Sequence, residues 1–160
     1  MTTEEIIQTT RNLISDTTYY LGGYNSTEVY SNEIYEKERG TTVYSGRPTS
    51  WIGKIAIAYP SDYGYAADLG KCTKQLGSYN DTTCTSNNWM NTIIAPNNGW
   101  LLTPDSGNAS YAWYVLSSGY VSGYNGACYA SGVAPVLSLN SELAVKAVTG
   151  SSSAPYQLSA

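Results

Sequence analysis

Side chains that commonly perform acid–base or nucleophilic chemistry are scarce in this chain of 160 residues. Histidine, the commonest general base and metal ligand near neutral pH, is absent. Neither the Gly-x-Ser-x-Gly nor the Ser-x-x-Lys pattern of activated serines occurs. The sequence therefore predicts a protein that is not an enzyme and has no catalytic residues.

Four aspartates keep one catalytic alternative open, because two carboxylates at the right separation can hydrolyse a glycosidic bond. They are Asp62, Asp68, Asp81 and Asp105, all in turn-like segments. Acidic residues in turns usually cap backbone amides, so a carboxylate-pair hydrolase is the less favoured interpretation. Asp62, Asp68 or Asp81 could instead contribute oxygen ligands to a calcium ion. At the binding surface defined below we predict no metal and no cofactor.

The three cysteines predict one disulfide and one unpaired thiol. Cys72 and Cys84 lie 12 residues apart in a polar, turn-rich segment, where a bridge would restrain a loop with little apolar surface of its own. Two reduced thiols are the alternative. A zinc site is disfavoured, because a four-ligand shell without histidine would need a carboxylate. Cys128 is left over, either as a small apolar filler or as an incidental surface residue.

Binding is better supported than catalysis by the stretch between Ser106 and Ser141, which contains no Asp, Glu, Lys or Arg. It carries Trp113 and five tyrosines among Ser, Gly and Asn residues. Tyrosine supplies stiff, amphipathic contact area at low entropic cost, and small polar neighbours supply adaptable hydrogen bonds, as in antibody combining sites. The alternative is that some of these rings are partly buried and replace phenylalanine, which the chain lacks.

Composition limits the partners and the setting. Charged residues make up 12% of the chain and the formal net charge is −4, so the basic patch that neutralises phosphates is missing and nucleic acid is not expected as a partner. No apolar run is long enough to cross a bilayer, and we expect membrane contact only through segments absent from this sequence. We predict one domain over residues 1–160, the carboxyl-terminal part of a longer surface protein and a monomer in isolation.

The elements in the first half are expected to be short. Thr2 and Glu5 have capping-box spacing ahead of an apolar stripe that reaches Ile14, which predicts a short N-terminal helix. Within segment 24–50, the charged cluster around Gly40 is typical of a solvated turn, and a charged docking face is the less favoured alternative. Residues 54–59 predict a core strand that Pro60 ends, followed by a turn and a long polar insertion up to residue 90.

The second half is expected to hold a hairpin centred near residues 117–119. Two-residue alternation then directs Trp113, Val115 and Val121 inward. The opposite parity, directed to solvent, comprises Tyr114, Leu116, Ser118, Tyr120, Ser122 and Tyr124. Further strands are predicted over residues 100–104, 133–139 and 154–158, with a short segment over 142–148. Pro135 marks an edge or a bulge.

Several segments together resemble a family of C-type-lectin-fold modules found at the carboxyl ends of pilin-like and other surface proteins of gut Gram-positive bacteria. The segments are ERGTTVY (38–44), WIGKI (51–55), YPSDYGYA (59–66), WLLTP (100–104), GVAPVL (132–137) and GSSSAPY (150–156). The resemblance extends over most of the chain from about residue 19. The family is similar to the variable proteins of diversity-generating retroelements, whose adenine-directed mutagenesis diversifies a carboxyl-terminal stretch.

This resemblance implies an α+β, C-type-lectin-like fold with a short N-terminal helix, small antiparallel sheets and long ordered loops. It also implies diversified side chains on a rigid scaffold, since scrambled adenine-rich codons often encode the Tyr, Ser, Asn, Gly, Ala and Cys that dominate residues 108–131. Cys128 would then be one sampled solution. The family often has arginine where this chain has Ala134, so a role for that arginine does not carry over.

The sequence and the resemblance lead to one functional expectation. The chain is expected to be an extracellular or pilus-associated recognition or adhesion module for a protein or glycan on another surface. The expected contact residues are Asn108, Ser110, Tyr111, Tyr114, Leu116, Ser118, Tyr120, Ser122, Tyr124, Asn125, Cys128 and Tyr129. The main alternative is a structural, pilin-like subunit that uses the same face for self-assembly.

Overall fold

Short antiparallel strands and short helices build the part of the chain that the structure, a computed structural model, describes: residues 11–145, 154 and 158–159. The strands are β1 (Thr17–Tyr20), β2 (Ser50–Gly53), β3 (Ile55–Ile57), β4 (Trp100–Pro104), β5 (Tyr111–Val115), β6 (Val121–Gly126), β7 (Pro135–Leu137), β8 (Ala144–Val145) and β9 (Leu158–Ser159). The helices are α1 (Ser31–Glu38), α2 (Pro60–Tyr65), α3 (Thr82–Thr85) and α4 (Asn91–Ile94), with 3₁₀ turns at Leu76–Ser78 and Ala95–Asn97.

The strands pair into small sheets, which confirms a mixed α and β architecture with small antiparallel sheets. Strand β1 pairs with β2, β3 with β7, and β8 with β9, while β4, β5 and β6 form a three-stranded sheet in that order. Proline opens β7, where an edge position needs no ladder hydrogen bond from its nitrogen. The expected strand at residues 100–104 is confirmed as β4.

Both ends of the chain lie largely outside the described residues. Of the expected N-terminal helix, Arg11 and Asn12 are helical, and Ile14 forms an antiparallel bridge with Leu139. Residues 1–10 fall outside the description, as does most of the expected strand 154–158. The last pair of strands, β8 and β9, contributes two residues each.

The predicted hairpin is confirmed as β5 and β6. Trp113, Val115 and Val121 are fully buried and form part of the hydrophobic core, as the alternation predicted. Gly119 adopts a φ of 87° in the connecting turn, a conformation that favours glycine. Hairpin geometry therefore fixes which side chains of this stretch can reach solvent.

The predicted solvated turn over residues 24–50 is wrong, because its charged cluster forms helix α1. The Glu33 side chain accepts a hydrogen bond from the backbone amide of Tyr30, which caps the first turn. Ser31, Ile34 and Glu38 are buried at helical spacing on one face. A stripe with one aliphatic residue and one buried carboxyl group is not the apolar pattern that identifies a helix in a sequence.

The predicted turn at 61–66 is also wrong, because these residues form helix α2. Pro60 occupies the first turn, where its missing amide hydrogen costs nothing. Asp62 accepts a hydrogen bond from the Tyr59 amide at 2.9 Å and completes the cap. The preceding core strand is shorter than expected, since β3 covers Ile55–Ile57 and Ile55 is exposed.

The disulfide between Cys72 and Cys84 is confirmed, but its surroundings differ from the expectation. Both cysteines are buried, and the segment between α2 and β4 adds Leu76, Tyr79 and Ile94 to the core. The segment folds as isolated helical turns, so its apolar residues follow no sustained period. For that reason the sequence pattern predicted a polar loop. The bridge therefore joins two points inside the core.

Candidate functional site

The expected contact residues divide into two groups at opposite ends of the β5–β6 hairpin. At the open end, Tyr111 pairs with Gly126 across the ladder, and the chain continues into a turn that carries Cys128 and Tyr129. At the closed end lie Tyr114, Leu116, Ser118 and Tyr120. The open end displays its rings, whereas the closed end packs against the rest of the molecule.

Three tyrosines at the open end, Tyr111, Tyr124 and Tyr129, form what we call the tyrosine patch. Their exposed fractions are 37%, 53% and 65%. A Cβ placed on Gly126 would lie 3.3 Å from the Tyr129 ring and 3.4 Å from the Cys128 sulfur, so both side chains cover that glycine. Cross-strand partners point to the same side, so Tyr111 lies on the side that Tyr129 covers.

A β-bulge in β6 includes Tyr124. Ala112 pairs with Asn125 and Tyr114 pairs with Ser122, so two residues of β6, Gly123 and Tyr124, face Trp113 alone. The bulge breaks the simple alternation assumed from the sequence. The predicted outward position of Ser122 is wrong: it is 7% exposed, and its hydroxyl accepts from the Tyr124 amide at 3.3 Å.

A loop from the first half of the chain anchors this end of the hairpin. The Tyr124 hydroxyl donates to the Asn25 carbonyl at 2.5 Å, and the Trp113 indole nitrogen donates to the Tyr24 carbonyl at 2.9 Å. The loop lies close to β4, since a Cβ on Gly23 would be 2.8 Å from the Pro104 carbonyl oxygen. No residue pattern could have predicted the role of Asn25, because it acts through its backbone carbonyl, which every residue has.

Arg47 brings a positive charge to the edge of a stretch that has none of its own. Its guanidinium donates to the Ala109 carbonyl at 2.6 Å. In the same turn the Asn108 side chain accepts from the Ser110 amide, and the Ser110 carbonyl accepts from the Ala127 amide. Asn108 and Ser110 thus shape the turn beside the patch, and Asn125 is half-buried beside it.

The closed end of the hairpin is a packed junction. The Tyr114 ring lies 5.9 Å from the Trp100 ring, and Tyr114, Leu116 and Tyr120 are all half-buried. A Cβ on Gly119 would be 2.5 Å from the Thr85 methyl carbon, so the turn contacts the disulfide-bonded segment. Only Ser118 of the expected contacts here is exposed. The predicted surface is therefore shorter than the sequence suggested.

The four candidate aspartates each accept hydrogen bonds from nearby backbone amides. Asp68 bonds the Gly70 amide, Asp105 the Gly107 amide, and Asp62 the Tyr59 amide. Asp81 caps α3 through Thr83, and the hydrogen bond from the Thr83 hydroxyl lowers the pKa of Asp81. Within the described ranges, no three His, Cys, Asp or Glu residues group as metal ligands would.

A buried serine and carboxyl pair joins α1 to α2. Glu38 is fully buried and accepts from the Ser61 amide at 2.9 Å and from the Ser61 hydroxyl at 2.5 Å. Burial raises the pKa of Glu38 to about 7, although the Ser61 hydrogen bonds and the Arg39 guanidinium oppose the shift. Ser61 has no exposed surface, so a substrate has no access to its hydroxyl. The pair caps the start of α2.

Among the described residues, no helix has the length and apolar character needed to span a membrane. Comparison of the chain with protein-family models, with curated proteins and with solved structures finds no match.

Proposed function

We propose that this chain is a non-catalytic recognition module that binds a protein or glycan through the tyrosine patch. The observation that carries the proposal is the exposure of Tyr111, Tyr124 and Tyr129 at one end of a hairpin that the fully buried side chains of Trp113 and Val115 anchor in the core. The hydroxyl bond to the Asn25 carbonyl already holds the Tyr124 ring in position, so ordering that ring adds little to the entropic cost of binding.

The chemistry of the patch suits contact with neutral or weakly polar surfaces. Tyrosine offers an apolar ring and one hydroxyl, and a few aromatic anchors commonly supply most of the energy of an interface. Ser110 and Asn125 add small polar groups beside the rings, and Arg47 adds one cation at the edge. No acidic side chain occurs between residues 107 and 140, so an anionic ligand would not be repelled from this stretch.

The setting belongs to the same proposal. A C-type-lectin-like fold is supported by the family resemblance and by small antiparallel sheets joined through long ordered segments. The disulfide is compatible with an oxidising, extracellular location on a cell surface or pilus. Retroelement-driven diversification is supported by the composition of residues 108–131. A reverse-transcriptase gene beside a near-copy of these codons would test that part.

The binding test uses the protein with Cys128→Ser, because an exposed thiol can form intermolecular disulfides. Glycan arrays and intact bacterial and epithelial cells serve as probes, with bound protein read by fluorescence. Replacing Tyr111, Tyr124 and Tyr129 together by alanine should lower the affinity for any probe that the parent binds by more than about tenfold. The matched control replaces Tyr20 and Tyr44, which are similarly exposed, and should bind like the parent.

The outcomes separate the proposal from its alternative. Equal binding by the triple variant and the parent would contradict the tyrosine patch as the contact surface. Sedimentation of the parent tests self-assembly: a stable oligomer that the triple variant dissociates would favour the pilin-like subunit. A monomeric parent that binds its probe through the three rings supports the recognition module.

A further inference from the structure

A second concave surface lies far along the chain from the tyrosine patch, between α1, the end of α2 and the disulfide-bonded segment. It encloses about 370 Å³, within the size range of small-molecule sites. Its walls are Tyr30, Tyr65 and Leu69, and its polar lining includes Asn32, Thr73 and Lys74. We call it the aromatic depression. We infer that it binds one neutral pyranose residue of a glycan.

The walls present two exposed tyrosine rings, and neighbouring side chains hold the ring of Tyr65 in place. Tyr30 and Tyr65 are 45% and 49% exposed. The Tyr65 ring meets the edge of Tyr35 at 6.4 Å, and the Arg39 guanidinium lies 3.4 Å from the centre of the Tyr35 ring. Aromatic rings with one exposed face can pack against the apolar C–H face of a sugar ring.

The polar lining matches the hydroxyl groups of a sugar. The Asn32 amide and the Thr73 hydroxyl make no side-chain hydrogen bond within the ranges that the structure describes. Both groups can donate and accept, as sugar hydroxyls also do. A purely apolar ligand would leave these groups without partners and so would lose affinity.

The charges favour a neutral ring. Lys74 is the charged residue that lines the depression, and its ammonium lies 4.0 Å from the Asp81 carboxylate. That carboxylate offsets the attraction Lys74 would have for an acidic sugar. A neutral pyranose can bind without separating Lys74 from Asp81.

The floor is rigid. The Ser31 hydroxyl lies 3.1 Å from the Tyr79 hydroxyl, which donates to the Gly64 carbonyl, also at 3.1 Å. Cys72, fixed by its disulfide, completes the floor. A preformed site of this kind loses little entropy when it binds. Its residues lie between positions 30 and 79, so the inference does not depend on the tyrosine patch.

The test is an NMR titration of the ¹⁵N-labelled Cys128→Ser protein with four methyl glycosides: glucoside, galactoside, mannoside and N-acetylglucosaminide. At least one should produce saturable shifts of the amides around residues 30–32, 65 and 72–74. Tyr30→Ala should weaken that binding about tenfold. Asn32→Ala should also weaken it. Tyr44 is similarly exposed but lies outside the depression, so Tyr44→Ala should not.

Three results would overturn the inference. The first is that none of the four glycosides shifts these amides saturably. The second is that the shifts persist unchanged in both Tyr30→Ala and Asn32→Ala. The third is that only an acidic probe, methyl glucuronide, binds there. Unchanged amide shifts outside the depression verify that each variant is folded. Sugar-induced shifts confined to residues 108–129 would support the tyrosine patch and contradict this second site, so the two proposals fail separately.

Discussion

Buried and exposed tyrosines serve different purposes in this molecule, and the hydroxyl group shows the difference. Tyr59, Tyr63 and Tyr79 are buried, and each hydroxyl bonds a protein oxygen: the Tyr20 carbonyl, the Asn91 side chain and the Gly64 carbonyl, respectively. In the tyrosine patch, only the Tyr124 hydroxyl bonds a protein group among the described residues. A buried tyrosine thus stabilises the fold through both its ring and its hydroxyl group. Each ring of the tyrosine patch keeps an exposed face, and most of the patch hydroxyls can bond solvent or a ligand.

Tyr59, Tyr63 and Tyr79 can therefore take the place of phenylalanine in this core because a protein oxygen accepts each hydroxyl proton. Desolvation raises the pKa of Tyr59 to about 12 and also raises the pKa values of Tyr63 and Tyr79. Tyr19 is an exception, since its buried hydroxyl has no partner among the described residues. Not every tyrosine of the first half belongs to the core, since Tyr30 and Tyr65, among others, are exposed.

The test with the largest expected effect on stability removes one buried tyrosine ring and one ring of the tyrosine patch. Tyr63→Ala should lower the free energy of unfolding by about 3–5 kcal/mol, because it leaves a cavity in the core and deprives Asn91 of its donor. Tyr129→Ala should change it by less than about 0.5 kcal/mol, because the ring is mostly exposed. Urea unfolding at matched pH measures both. Similar losses for the two variants would contradict the division.

A second test measures how ionisation of the buried Glu38 carboxyl group changes the free energy of unfolding. The pKa of Glu38 is raised from 4.5 to about 7, so between these values the folded state binds more protons than the unfolded state. Its stability should therefore fall as pH rises across this window, by about 3 kcal/mol at most. The charged groups facing Glu38 are Arg39, which favours its ionised form, and Asp62, which opposes it.

Glu38→Gln provides the matched control. The amide keeps the shape of the carboxyl group and can still accept from the Ser61 backbone. Its free energy of unfolding should therefore be flatter between pH 4.5 and 7 than that of the parent. If urea midpoints of parent and variant changed in parallel across this range, the assignment of the slope to Glu38 would be wrong.

Sequence patterns predicted the parts of the fold in which alternation or proline position is decisive. Trp113, Val115 and Val121 are buried as the two-residue period required, and β4 occupies the predicted range Trp100–Pro104. The pairing of Cys72 with Cys84 was also predicted, since a bridge suited their separation. These features depend on short-range geometry, which a sequence contains directly.

Other features depend on partners that are distant in sequence. Helix α1 can bury Glu38 because Ser61 supplies its hydrogen bonds. No residue within the charged segment indicates that Ser61 is the partner. The bulge at Gly123 and Tyr124 buried Ser122 and left Tyr124 exposed, although alternation treated both alike. Which side chains of the candidate site reach solvent therefore required knowledge of tertiary contacts.

The smallest test removes only the hydroxyl from one ring of each group. Tyr63→Phe leaves the half-buried Asn91 oxygen without its donor and should cost about 1–2 kcal/mol. Tyr124→Phe loses the bond to the Asn25 carbonyl, but water can replace it at this exposed position, so the cost should be under about 0.5 kcal/mol. Urea unfolding compares the two, and an equal cost would show that Tyr124 is a structural tether like the buried rings. A larger loss of ligand binding than of stability in Tyr124→Phe would instead assign its hydroxyl to the contact surface.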